Sequence, residues 1–212
     1  VPGDFWLRFM TSHPKDASPR LFDAMADCEK GAKQLHLPFQ SGSNRILKQM
    51  NRRYTREQYL EIVRYAKEKI PDVSLTSDVI VGFPGESYED FKETLSLVRE
   101  IGFTSLFTFI FSPRAGTPAA KLDDPVPASE KSKWFSELLQ VQEEIAAARC
   151  AHMVGQTVEV LVEGKTGKND ALTSRTSGNI IVEHDGPEEL IGTFVHVKIT
   201  KARNWILNGE LL

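Results

Sequence analysis

The chain has 212 residues, 41% hydrophobic and 26% charged, with a net charge of −3 and a pI near 6. That balance excludes disorder and fibrous repeats and gives no global basic pull on nucleic acid. The densest apolar run, Leu106 to Phe111, is six residues long, too short for a membrane-spanning helix, so no membrane partner is expected. The two cysteines, Cys28 and Cys150, are 122 positions apart and make no disulfide framework, which predicts a reducing, cytoplasmic setting. The opening stretch has Asp4 and Arg8 among aromatics, not the layout of a signal peptide. It starts with Val1 where a native start would give Met, and predicts a piece of something longer.

Phe5 to Met10 reads as a strand, and the stretch after Ser18-Pro19 as a helix through Cys28. Gln34 to Phe39 reads as the next strand, followed by Gln40-Ser41-Gly42-Ser43 and a short helix with Ile46, Leu47 and Met50. Thr55 and Gln58 form a capping box for a longer helix whose apolar face is Tyr59, Ile62, Val63 and Ala66. Ser74 to Val81 alternates as a strand, and Gly82-Phe83-Pro84-Gly85 turns the chain. Ser87 caps a helix with the stripe Phe91, Leu95 and Val98, and Thr104 to Phe111 is a further strand.

Strand, loop and long helix in alternation predict parallel strands with right-handed crossovers, in an α/β barrel, a partial barrel or an open sheet. Four such strands do not close a barrel alone. Asp123 to Ala128 reads as a linker and Ser129 opens a helix with Trp134, Leu138, Val141 and Ile145 on one face. Beyond Gly155 the runs Thr157 to Val162, Ile180 to Val182, Phe194 to Ile199 and Ile206 to Leu211 predict a small OB-like all-β barrel. The expected division is 1–153 and 154–212.

Ligands in parallel α/β folds sit at the carboxyl ends of the strands. Three loops leave such ends here: 40–43, 82–86 and 112–118. Each mixes small residues with hydrogen-bonding or charged ones, which suits a shared ligand rim, although glycine and proline also turn chains for their own sake. Asp78 sits among apolar neighbours and needs a partner; Arg114 or a ligand would serve, as would a purely structural ion pair. Arg45 either holds an anion after the 40–43 loop or is a solvated surface arginine. His13 and His36 lack metal-ligand spacing and read as hydrogen-bonding residues; no metal site is expected. Gly164-Lys165-Thr166 ends like a P-loop, but Glu159 stands where the first glycine belongs, and no helix follows.

In the small barrel Lys165, Lys168, Arg175, Lys201 and Arg203 accompany Asn179 and Trp205. With Lys198 that makes six cations against eight carboxylates over 155–212. Cations beside an aromatic suit a phosphate backbone and an unstacked base; an ordinary charged rim with Trp205 in the core fits the composition as well.

The text His36-Leu37-Pro38-Phe39-Gln40-Ser41-Gly42-Ser43, Tyr54-Thr55-Arg56-Glu57, Asp78 to Glu86, Phe109 to Ala120, Gly155 to Gly164 and Asn208-Gly209-Glu210-Leu211 resembles the radical S-adenosylmethionine (SAM) methylthiotransferases. The match runs from the later part of the catalytic barrel through the C-terminal TRAM domain. Gln40-Ser41-Gly42-Ser43, Asp78 and Ser112-Pro113-Arg114 look like the tRNA-modifying, MiaB-type branch rather than the branch that modifies a ribosomal protein. The resemblance implies a partial TIM-like barrel followed by a TRAM barrel, and a methylthio transfer to carbon 2 of isopentenyladenosine beside the anticodon. It also implies S-adenosylmethionine and two [4Fe-4S] clusters in the full-length parent, with sulfur and electron donors undefined. Gln40, Ser41, Ser43, Asp78, Gly82 and Arg114 would face cofactor and base, and the TRAM residues would grip the tRNA anticodon stem-loop.

The family's cluster-binding cysteines have no counterpart here, and thiolates are not replaceable by the residues present. The chain by itself is therefore expected to hold no cluster and to be inactive. Two other readings remain at this point. One is a methylthiotransferase for threonylcarbamoyladenosine in tRNA or for a ribosomal-protein aspartate. The other is a non-catalytic RNA-binding protein.

Overall fold

The structure is a computed structural model and describes residues 1–10, 13–167 and 171–212. In order, it has α1 (Pro19–Asp27), β1 (Gln34–His36), α2 (Asn44–Gln49), α3 (Arg56–Lys69), β2 (Ser74–Val81), α4 (Tyr88–Ile101), β3 (Ser105–Ile110) and α5 (Ala128–His152). Then follow β4 (Thr157–Lys165), β5 (Leu172–Thr176), β6 (Ile181–His184), β7 (Phe194–Arg203) and β8 (Ile206–Leu211).

Helix starts follow their caps. The Thr55 and Ser87 hydroxyls accept from the backbone N–H groups of Gln58 and Asp90, whose side chains bond back to the cap N–H groups. Each such cap stabilises its helix by about 1 kcal/mol. Gly102, at φ +67, closes α4 with its N–H on Val98 O.

Strands β1, β2 and β3 form a parallel sheet in that order. One face is sealed by helices: Leu35, Leu75, Val79 and Val81 are buried in one cluster with Tyr59, Phe91 and Leu138. Fully burying a side chain of this kind contributes about 1.5–3 kcal/mol. The other face is open, and carries His36, Thr76, Asp78 and Phe107, the last 54% exposed.

The sheet has three strands where the sequence predicts four. Phe5 to Met10 is not a strand: Leu7 makes one isolated bridge, to Gly31. The segment is instead strapped down by side chains. Lys30 reaches Val1 O, Gly3 O and the Phe5 ring, Trp6 packs edge-on against Phe194, and Arg8 reaches Asn179. Helix α5 begins at Ala128, one residue before the expected Ser129, with Pro127 as its N-cap.

Strands β4 to β8 close into a barrel in the order β4-β5-β6-β8-β7. Its interior is a compact cluster of Val160, Val182, Val197, Ile199 and Leu207. Cys150 and Met153, at the end of α5, join that cluster, whereas Trp134, Leu138 and Val141 of the same helix belong to the first core. One continuous helix therefore nails the barrel to the sheet.

The barrel docks at the amino ends of the parallel strands. Lys33 N donates to Ser177 Oγ at 3.2 Å and Ser74 N to Lys33 O at 2.8 Å. Gly178 lies so close that a Cβ would come within 2.4 Å of Ser74 Oγ. The predicted ligand loops lie at the other end.

Candidate functional site

At the carboxyl rim, Gln40 and β2 interlock: Gln40 N donates to Asp78 O at 2.9 Å and Ile80 N to Gln40 O at 3.0 Å. Gln40 is buried and holds φ +68, a left-handed conformation that costs a non-glycine residue energy and concentrates at functional sites.

The hydroxyls of Ser41 and Ser43 are engaged by the fold itself. Ser43 Oγ donates to Asp90 Oδ1 at 2.7 Å, and Ser41 Oγ accepts from Ser43 N at 3.2 Å. Both residues are at most 1% exposed. Gly42 is obligatory, since a Cβ there would lie 2.5 Å from Glu93 O. Arg45, its side chain half exposed, pairs with Asp90 and donates to Gly85 O at 2.7 Å, joining the first rim loop to the second. Burial alone would raise the Asp90 carboxyl, but hydrogen bonds from Arg45, Ser87 and Ser43 hold it well below the usual carboxylate range.

Gly82 has φ +73, and its missing Cβ makes room for the aliphatic stem of Lys131, 2.5 Å from where that atom would be. The space serves packing rather than a ligand. The sequence quotes Glu86 but gives no sign of its burial. It is 1% exposed, accepts from Gly82 N and Phe83 N, and leaves Oε1 unpaired. Burial pushes its carboxyl up to about 7. Lys131, buried at the start of α5 and paired with Asp124, sits against the same turn; no sequence signal links it to the rim.

Asp78 projects from the open face with its side chain 30% exposed, and its partner is His36, Nε2 to Oδ1 at 3.5 Å. His36 Nδ1 meets Thr76 Oγ1 at 2.9 Å and its ring meets Phe107 edge-on, consistent with a hydrogen-bonding role. Arg114 is not Asp78's partner. Asp78 pairs in register with Phe107, seven residues before Arg114, which is exposed beyond the end of β3.

The predicted RNA-facing residues divide into separate places. Lys165 pairs with Glu188 at 2.6 Å, and Lys168 lies outside the described residues. Lys201 and Arg203 line a groove of about 790 Å³ with Thr173, Asn208, Glu183 and Asp185. Their outward aim comes from a bulge. Val197 and Ile199 point inward, and strict alternation would turn Lys201 and Arg203 inward too. The register slip between Ile199 and Lys201 sends them out and turns Ala202 toward the core.

Arg175, Asn179 and Trp205 line a different cleft, of about 220 Å³, between barrel and sheet. Arg175 donates to Glu163 at 2.8 Å, and Asn179 Oδ1 accepts from Arg8 at 2.9 Å. Trp205 is not a core residue; it is 41% exposed.

Among the described residues no group of three or more His, Cys, Asp or Glu side chains could hold a metal ion. Cys28 caps α1 while Cys150 is buried in the barrel core, so the chain's thiols do not fit an iron–sulfur cluster. On the rim side Gln40 is buried at positive φ, while Asp78 and Phe109 are part-exposed on the open face of the sheet. No helix among the described residues is long and apolar enough to cross a membrane.

The sequence matches the Radical SAM superfamily profile over residues 2–98 and the TRAM domain profile over 151–212. In fold, the chain is similar to coproporphyrinogen III oxidase (HemN) from Escherichia coli, a radical SAM enzyme, at a TM-score of 0.55 and 16% identity over 91% of this chain and 46% of that one. The chain is thus similar to radical SAM proteins that carry a TRAM domain. Within them its relatives are tRNA-2-methylthio-N(6)-dimethylallyladenosine synthases. It is 48% identical to that of Acetivibrio thermocellus over 100% of this chain and 44% of the relative, and 51% identical to that of Alkaliphilus oremlandii over 97% and 44%. The Geobacillus thermodenitrificans enzyme is 52% identical over 97% and 39%. The chain thus spans less than half the length of the curated relatives it matches.

Proposed function

We propose that this chain is the later catalytic-barrel and TRAM portion of a tRNA methylthiotransferase that modifies carbon 2 of isopentenyladenosine beside the anticodon. One observation carries the reading: about half of all residues are identical to enzymes of that name along essentially the whole chain. The same names favour it over a ribosomal-protein substrate, a threonylcarbamoyladenosine substrate or a binding-only role. In this reading residues 1–153 are part of a TIM-like barrel that further chain would extend, and 154–212 are the RNA-binding module.

In the full-length parent, S-adenosylmethionine and [4Fe-4S] clusters would supply the radical and methyl-transfer chemistry, the clusters being held by residues other than those of this chain. This chain's own share is positioning. Gln40 and the backbone of the 82–85 turn frame the rim, Asp78 and Arg114 offer charge to a polar ligand, and Ser41, Ser43 and Gly82 keep those loops in place. With no thiolate set of its own, the chain alone turns nothing over. The groove at Lys201 and Arg203 takes the backbone of the anticodon stem-loop, with affinity falling as salt rises. The setting is the cytoplasm.

Mass spectrometry of tRNA nucleosides from cells lacking the encoding gene tests the activity. Loss of the methylthio form with accumulation of isopentenyladenosine is expected. Persistence of the methylthio form, with no redundant enzyme present, contradicts it.

A further inference from the structure

The cleft between the sheet and the barrel combines exposed aromatic rings, guanidinium groups and unpaired buried polar atoms. Its walls carry two exposed aromatic rings, Trp205 at 41% and Phe107 at 54%. Two polar atoms on its lining residues, Arg149 Nε and Thr104 Oγ1, are buried without a hydrogen-bond partner, a state that folded proteins seldom leave unexplained. Arg149 forms no ion pair among the described residues. Its charge adds to burial in depressing the Lys67 ammonium, and on its other side it lines a neighbouring pocket with Asp72 and Glu159. Arg175 stands on the same cleft with its guanidinium shared between Glu163 and Asn179. The volume, about 220 Å³, is below the ~300–1,000 Å³ of sites that enclose a whole small ligand, and suits one planar group entering from outside.

We propose that this cleft is a second nucleotide site, taking one unpaired base of the bound RNA against Trp205 and the neighbouring phosphate on Arg149 and Arg175. The proposal rests on the RNA-binding reading of the barrel and adds to it a place and a ligand class. An aromatic face accepts any base, and a guanidinium beside it accepts phosphate. The base held here is not the base modified. The cleft touches β2 at Thr76, six residues before Gly82 and so about 20 Å from the 82–86 turn at ~3.3 Å per strand residue, although its Phe107 wall pairs in register with Asp78. Its role is to fix the register of the RNA while another nucleotide reaches the carboxyl end of the sheet.

The test is fluorescence anisotropy of the 212-residue chain with a labelled single-stranded oligoadenylate, a blunt RNA duplex and, as competitor, AMP. Trp205→Ala weakens the single strand by about tenfold, the size expected for loss of one base stack, Trp205→Phe restores most of it, and the duplex is unaffected. Arg149→Gln weakens the single strand and lowers its salt slope by about one. Circular dichroism checks folding, and Trp205→Phe with Arg149→Gln carries the test if Trp205→Ala does not fold. If Lys201→Ala with Arg203→Ala weakens binding while Trp205→Ala and Arg149→Gln do not, the cleft is overturned and the RNA reading stands. AMP competing as tightly as the oligonucleotide overturns an RNA-strand site in favour of a free nucleotide. A wild-type chain that binds no RNA overturns both readings.

Discussion

The two ends of the parallel sheet are built on opposite terms. At the carboxyl end, side chains that look ready for a ligand are turned inward: Ser43 and Arg45 on Asp90, Glu86 on the Gly82 turn, Lys131 against Gly82. At the amino end, where the barrel docks, Arg149 and Thr104 keep buried atoms unpaired and Trp205 and Phe107 lie open. Apart from Glu86 Oε1, the rim's buried polar groups satisfy one another around a strained Gln40. Preorganisation suits a site that must present reacting atoms within a fraction of an ångström, and unsatisfied polarity suits one that only has to hold.

Breaking the rim should cost the most. Asp90→Ala removes the acceptor shared by Ser43, Arg45 and Ser87 and is expected to destabilise the chain by about 3 kcal/mol in urea denaturation. The sign with pH is fixed by its depressed carboxyl: the stabilisation is present above the unfolded value near 4 and is lost as pH falls below it toward the folded value.

Glu86 has the opposite sign. Its carboxyl is raised to about 7, so the fold favours the protonated form. Stability is then lost as pH climbs from the unfolded value near 4.3 to about 7, by at most roughly 4 kcal/mol. Denaturation curves of wild type and Glu86→Gln should diverge across that window and run parallel above it.

Gly82→Ala forces a Cβ into Lys131 at positive φ and should cost about 2 kcal/mol, measured as a shift in the urea midpoint. The smallest effect belongs to the floor. Arg8→Ala removes two hydrogen bonds to the barrel, at Asn179 and Thr176 O, and is worth about 1 kcal/mol. It should appear as faster proteolysis of the N-terminal strap with little change in the global transition. An equal loss from Arg8→Ala and Asp90→Ala would erase the contrast between the two ends.

Much of this architecture is legible in the sequence because it is local. The Thr55 and Ser87 caps, the alternation along β2 and the shift to short β runs after Gly155 each sit within a few residues of their cause. What is not legible depends on contacts across the chain. Phe5 to Met10 has strand-like residues, but Trp6 and Arg8 find partners in the barrel instead. Strand β5 escapes because Leu172-Thr173-Ser174-Arg175-Thr176 has one large apolar side chain, its pairing being supplied by β4 and β6. At the site, the sequence points to the correct loops and yet not to what their atoms do. Ser41, Ser43 and Gly82 look like ligand groups because small polar residues at a strand end serve either purpose, and only packing against α4 and Lys131 decides. Asp78's partner came from the adjacent strand, as His36, rather than from Arg114. The bulge beyond Ile199, which aims Lys201 and Arg203 outward, leaves no mark on an alternating pattern.

The central claim, that one RNA touches the barrel and reaches along the sheet, is tested most directly by photocrosslinking. An anticodon stem-loop carrying 4-thiouridine at successive loop positions is bound to the chain, irradiated, and the crosslinked peptides are mapped. The account predicts crosslinks in β7 through Trp205 from one part of the loop and at the 112–118 or 82–86 segments from another. Crosslinks confined to the outer faces of α3 and α4, far from both ends of the sheet, would contradict it.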